Sequence, residues 1–149
     1  MSNIITIEAQ DFLNTLFSDF GFELAAKAED EDGCVIDMDG YDASLLRSES
    51  GELLDSVEHL INQVFSRRLD QGQRLICDVH SFRAIRETEL QAMARHAAER
   101  VRSTRLPFTF GAMNANERRI IHLTLAKDTD LQTESIGEGS SRRLRVILK

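Results

Sequence analysis

Tryptophan is absent from this 149-residue chain, tyrosine and proline occur once each, and cysteine only twice. Each shortage removes a class of protein. Cys34 and Cys77 make neither a disulfide framework nor a metal cage, and no residues have C-x-x-C or H-x-x-x-H spacing. No apolar run approaches the ~18 residues of a membrane span, so membrane insertion is not expected. The opening MSNIITIEAQ has no basic n-region and soon carries Glu8 and Asp11, which leaves the cytoplasm as the expected address. Neither a Walker loop nor a dinucleotide fingerprint is present, and no nucleophile–base pair can be read, so neither a cofactor nor an enzyme is expected. With Tyr41 the sole tyrosine, base stacking would fall to phenylalanine or arginine. Phe108 and Phe110 are the candidates, and core packing is the competing role.

Charge is what the chain has in quantity. Twenty-five acids against 18 Lys and Arg give a net charge of −7, which at face value argues against a nucleic-acid partner. That average conceals a division. Residues 1–80 hold 17 acids and 5 bases, a net of −12, whereas residues 81–149 hold 8 acids and 13 bases, a net of +5. Electrostatic fields act within a Debye length of ~8–10 Å, so the halves act separately and point to two modules with different partners. Chance clustering on a solvated surface is the alternative.

Hydrophobic spacing orders the elements. Phe12, Leu13, Leu16, Phe17 and Phe20 recur with helical period after Thr6, an expected N-cap, and Gly21 ends the run. Glu23–Ala28 and Gly33–Asp39 read as a hairpin around the acidic residues 29–32, with Cys34, Ile36 and Met38 inward and Asp37 and Asp39 on a polar face that is a weak cation candidate. Glu52–Arg68 is helical with a stripe of Leu53, Leu54, Val57, Leu60, Ile61, Val64 and Phe65. A strand over 74–80 points Leu75, Cys77 and Val79 to one face. A long helix over 81–103 points Leu90, Met93, Ala94, Ala97 and Val101 inward and carries the surface pairs Arg83/Glu87 and Arg95/Glu99. Pro107 then marks a boundary. Beyond it lie a short extended stretch at 108–110, a helix over 114–127 capped by Asn114 or Asn116, and strands over 131–136 and 142–148.

The most specific local feature is the run from Glu117 to His122. Arg118 and His122 are four residues apart and share a helix face. A planar guanidinium fork beside an imidazole of tunable charge suits an anion. In the last strand Leu144, Val146 and Leu148 alternate with Arg143 and Arg145, so a cationic helix face and a cationic strand face are expected to form one phosphate-tracking surface. Spacing alone leaves a second reading open, in which Arg118 pairs with a nearby acid and His122 packs quietly.

The run Met113-Asn114-Ala115-Asn116-Glu117-Arg118-Arg119-Ile120-Ile121-His122, followed by Thr133-Glu134-Ser135-Ile136-Gly137-Glu138 and Arg142-Arg143, resembles the R-three-H domain, a single-stranded nucleic-acid-binding module named for an Arg and a His three residues apart. The preceding segment is similar to the KH domain that accompanies it in the bacterial Jag, or SpoIIIJ-associated, RNA-binding proteins, also called KhpB. Asp42-Ala43 through Leu45-Leu46, Gly51-Glu52 and Leu54-Asp55 carry that likeness. The resemblance implies an α+β protein: a type II-like KH domain at 1–103, in helix-strand-strand-helix-strand-helix order, then a small α+β R-three-H domain at 104–149. Many Jag-like proteins have a further N-terminal domain, which is not expected here because Met1 leads directly into the first helix.

One departure matters. A KH module clamps nucleic-acid backbone with a G-x-x-G loop, and the corresponding residues here are Ser48-Glu49-Ser50-Gly51. The first glycine is gone and Glu49 repels phosphate. The expectation is therefore single-stranded RNA or DNA binding through Arg118, His122, Arg142, Arg143 and Arg145, with a structural or protein-docking KH-like half. An adaptor or dimerisation module, docked on a small KH protein or on itself, is the alternative.

Overall fold

The computed structural model describes residues 2–29 and 33–149, with side chains from residue 4 onward. Residues 30–32 of the expected hairpin turn lie outside the described residues. The chain forms two compact units, Met1–Arg83 and Ala84–Lys149.

In the first unit α1 (Ser2–Phe20) is followed by β1 (Ala25–Ala28), β2 (Val35–Asp39), the short α2 (Ala43–Arg47), α3 (Glu52–Phe65) and β3 (Ile76–Asp78). The sheet order is β1-β2-β3; β1 pairs antiparallel with β2, and β2 pairs parallel with β3. A parallel pair needs a long crossover, which α2 and α3 supply. Leu13, Phe17, Ile36, Met38, Leu54, Ile61, Leu75, Cys77 and Val79 meet in one core, as the spacing predicts. Thr6 does not cap α1. The helix starts at Ser2, because Ile5 and Ala9 also belong to the core, and Thr6 is buried within it, donating to the Gly33 carbonyl. On α3 only Leu54, Val57, Ile61 and Phe65 are buried, whereas Leu53, Leu60 and Val64 face out. Three short strands cover one stripe of a helix, not two.

Helix side chains complete both edges of this sheet. Asn14 accepts from the Ala26 amide at 2.8 Å and donates to the Ala26 carbonyl at 3.0 Å, and Gln10 accepts from the Ala28 amide at 2.8 Å. At the other edge Asn62 makes the same two-way contact with Leu75 at 2.8 Å, and Glu58 accepts from the Cys77 amide at 3.0 Å. Edge backbone groups left open invite other strands; side chains from α1 and α3 occupy them. Burial, with the Glu58 charge nearby, pushes the Cys77 thiol up to about 12. Cys34 is only half-buried. Asp37 and Asp39, the weak cation candidates, instead hold His80: Asp37 accepts from its amide at 3.0 Å and Asp39 lies 2.8 Å from Nε2. Arg83 bypasses Glu87 for Asp55 at 2.8 Å and Glu58 at 3.1 Å.

The second unit comprises most of α4 (Phe82–Thr104), then β4 (Phe108–Thr109), α5 (Ala115–Leu125), β5 (Leu131–Ile136) and β6 (Arg143–Leu148). Its antiparallel sheet has the order β4-β6-β5. Leu90, Ala94, Ala97, Ala98 and Val101 of α4 join Phe110, Met113, Ile121, Leu125, Leu144 and Val146 in a second core, while Met93 is exposed. The compact units therefore divide at Arg83/Ala84, not at the 103/104 position expected from Pro107. The proline ends a helix; the 46 residues after 103 need that helix to cover their sheet. Arg102 ties the end of α4 to the turn before β5 through Asp128 at 3.1 Å and Asp130 at 2.7 Å, and its hydrogen bond holds Asp130 down at about 2. Among the described residues no helix is long and apolar enough to cross a membrane.

Two outcomes are expected. Gly51 has φ +83°, and a β-carbon there would meet the Phe82 ring at 2.9 Å. Gly51→Ala should therefore cost about 1–3 kcal/mol in urea denaturation. The hydrogen bond to Asp39 raises the His80 pKa above the ordinary 6.5 and lowers that of Asp39 below 3.8. A raised histidine contributes stability that is complete below pH 6.5 and is lost as pH rises through its folded value. His80→Gln should remove that decline from the pH–stability profile, and in NMR the His80 ring should titrate above 6.5.

Candidate nucleic-acid interface

Helix α5 is oriented by what it must bury. Asn114 caps it, accepting from the Glu117 amide at 2.9 Å. Glu117, Ile121 and Leu125, four residues apart, form the inward stripe. Glu117 is only 3% exposed and carries a carboxylate, so it needs a cation. Arg86 of α4 supplies it: Nε donates to Glu117 at 2.9 Å while Nη1 reaches Glu89 at 3.2 Å. With Glu117 anchored, Arg118 and His122 project one step around the helix.

The sheet meets them there. Register pairs Thr133 with Val146 and Ser135 with Leu144, which places these four side chains on the face beneath α5. Arg118 Nη1 donates to Ser135 Oγ at 3.0 Å, and its Nε reaches the Met113 carbonyl at 3.4 Å. His122 Nδ1 lies 2.5 Å from Thr133 Oγ1. Both basic side chains are held by neutral oxygens, so the acid partner allowed by spacing alone is not what engages Arg118. An open groove of about 370 Å³ runs here, lined by Ala115, Arg118, Arg119, His122, Thr133, Ser135 and Leu144, with no carboxylate among them. Hydroxyl contacts fix the two side chains without neutralising them. Arg118 keeps Nη2, and His122 keeps Nε2, without a protein partner among the described residues. A guanidinium fork, a second arginine and an imidazole around an acid-free groove can hold an anion.

The expected single cationic surface does not form. Arg145 pairs in register with Glu134 and Arg143 with Ile136, so both arginines sit on the opposite side of the sheet from Arg118 and His122. Arg145 also bonds Glu134, with Nε at 2.6 Å from the carboxylate. Alternation in β6 was legible, but which face α5 covers is a tertiary choice. Arg142 is exposed, and its carbonyl accepts from the Met113 amide at 3.0 Å. Arg119 is the residue that sequence reasoning passed over; its three-residue spacing from His122 was the available signal. Thr133 and Ser135 carry no signal of their own in the sequence, because a hydroxyl's role depends on what crosses above it. Phe110 is buried in the core, and Phe108 packs edge-on against it at 5.0 Å beneath Arg100 at 5.7 Å.

The Ser48-Glu49-Ser50-Gly51 turn links α2 to α3. Glu49, Ser50 and Gly51 all have positive φ, at 50°, 58° and 83°. Its side chains offer no cation. Glu49 and Glu52 line the adjacent groove.

Because Glu117 sets the roll of α5, Arg86→Ala should leave a buried carboxylate unpaired and destabilise the protein by about 3 kcal/mol in urea denaturation. Replacing both partners, Arg86→Met with Glu117→Leu, should recover most of that loss.

Residues 88–148 match the family model of the R-three-H domain. That match begins inside α4, in keeping with the compact unit that starts at Ala84. The chain is 28% identical over 145 residues to the RNA-binding protein KhpB of Clostridium symbiosum, covering 95% of this chain and 65% of that protein. It is 31% identical over 107 residues to the RNA-binding protein KhpB of Bacillus subtilis (strain 168), covering 70% of this chain and 51% of that protein. The chain thus spans between about half and two thirds of the length of these curated relatives. Over residues 88–148 the chain carries a match to the R-three-H domain, and it is similar to two proteins named RNA-binding protein KhpB.

Proposed function

We propose that this chain is a non-enzymatic cytoplasmic protein that binds single-stranded nucleic acid, RNA in the first place, through the Arg118–Arg119–His122 groove. The observation that carries the reading is the acid-free groove itself, in which the two motif residues are oriented by Ser135 and Thr133 and keep donors for a ligand. The R-three-H match and the names of the two relatives support the same partner class. Phosphate oxygens would accept from Arg118 and Arg119. His122 would add an N–H at Nε2 whenever Thr133 donates to Nδ1 or the ring is protonated. Thr133 and Ser135 act as positioning residues.

In the same proposal the first unit is a KH-like module with a structural or protein-docking role. Support comes from its element order, the acidic balance of residues 1–80 and the loss of glycine and cation from the Ser48–Gly51 turn. Arg142, Arg143 and Arg145 keep at most a secondary part, since Arg143 and Arg145 lie on the other face of the sheet and Arg145 is paired with Glu134.

With about three phosphates neutralised on a single strand, log K should fall against log salt with a slope of about −2. A slope near zero in a filter-binding titration would overturn the electrostatic account. Arg118→Ala with His122→Ala should weaken binding of a labelled single-stranded RNA by more than about tenfold, given two charge-assisted contacts, with the melting temperature nearly unchanged. Arg143→Ala should weaken it far less. Equal losses from both variants would return the strand to the opposite face of the sheet.

A further inference from the structure

The core of the first unit leaves an apolar surface unused. Leu53, Leu60 and Val64 of α3 are 38%, 39% and 48% exposed. From Leu53 to Val64 the stripe runs about 16 Å along the helix axis. At its N-terminal end it opens into a groove of about 470 Å³, where Phe22, Leu45 and Leu53 form apolar walls and Glu49 and Glu52 supply charge. Phe20 extends the apolar wall, its ring 6.5 Å from that of Phe22. Arg47 precedes the turn but does not line the groove.

Charge decides the class of occupant. A phosphate-bearing strand would face Glu49 and Glu52 in a half that holds 17 acids against 5 bases, and would find glycine at only the last of the four turn positions. A wholly apolar segment would desolvate those carboxylates without a partner. A segment with leucine-like side chains on one face and lysine or arginine at its flanks satisfies both surfaces. The length of the stripe, parallel to α3, suits an anchor set repeating along a helix.

We infer that this groove docks a basic amphipathic helix of a protein partner. The helix inserts apolar side chains between Phe22, Leu45 and Leu53 and sets its cations beside Glu49 and Glu52. Such a helix gives an occupant to the docking role proposed for the first unit, on which the inference rests, and it does not depend on the Arg118–His122 groove.

The test uses the full chain and a fluorescent peptide of leucine and lysine, about 14 residues or four helical turns long, beside the same peptide with every lysine replaced by glutamate. The Leu/Lys peptide should bind and the Leu/Glu peptide should not. Leu45→Ser with Leu53→Ser should weaken peptide binding by about tenfold or more, and Glu49→Lys with Glu52→Lys should do the same. Neither pair should change affinity for single-stranded RNA, so failure here is distinguishable from failure of the nucleic-acid reading. If the leucine pair impaired folding, the charge-reversed pair would still decide the matter. Equal binding of the two peptides, or binding indifferent to both variant pairs, would overturn the inference. It would equally fall if RNA affinity dropped in these variants, making the groove a nucleic-acid surface. A dimer in sedimentation that either pair abolishes would also overturn it, making the occupant a second copy.

Discussion

A carboxylate removed from water must find a cation, and the second unit is arranged around that requirement. Glu117 is buried at the first turn of α5 and is met by Arg86 from α4. The pair fixes how α5 is rolled against the sheet, since Glu117, Ile121 and Leu125 must point inward together. Once that roll is set, Arg118 comes to Ser135 and His122 to Thr133. The basic residues are thus oriented by an acid that never touches them. Hydroxyl partners are the other half of the arrangement. They order the guanidinium and imidazole at the cost of a neutral hydrogen bond, whereas a carboxylate in their place would cancel the charge, as Glu134 does for Arg145.

In the first unit the governing problem is a small sheet with two open edges. Asn14 and Gln10 on one side, and Asn62 and Glu58 on the other, take up edge backbone groups that would otherwise be available to another strand. α1 and α3 are held in register with the strands as a result, and α3 is left showing Leu53, Leu60 and Val64 to solvent. The turn before α3 keeps three successive residues at positive φ although only one is glycine. Gly51 is the position where a side chain would strike Phe82, so the surviving glycine has a packing reason independent of any ligand.

Much of this was readable in advance. The helical runs, the alternation of Ile36 with Met38 and of Leu75, Cys77 and Val79, the Asn114 cap and the strand at 131–136 follow from local periodicity and capping chemistry, which act over a few residues. The Arg118–His122 face is likewise a matter of helical spacing. Thr6 misled because a threonine before an apolar run looks like a cap when the helix in fact extends back to Ser2. Leu53, Leu60 and Val64 read as core because an apolar stripe does not say how much of it a three-stranded sheet can cover.

The sequence by itself determined the elements, the acidic and basic halves and the placement of an arginine and a histidine on one helix face, since each depends on bonds and charges near in the chain. Tertiary structure alone decided that α4 packs with the second unit and that Arg143 and Arg145 fall on the far side of the sheet. It also brought Arg119, Thr133 and Ser135 into the groove. The reason is common to all three. A helix or strand has two sides, and which one is covered is settled by the partner that most fully buries its apolar surface and pairs its charges.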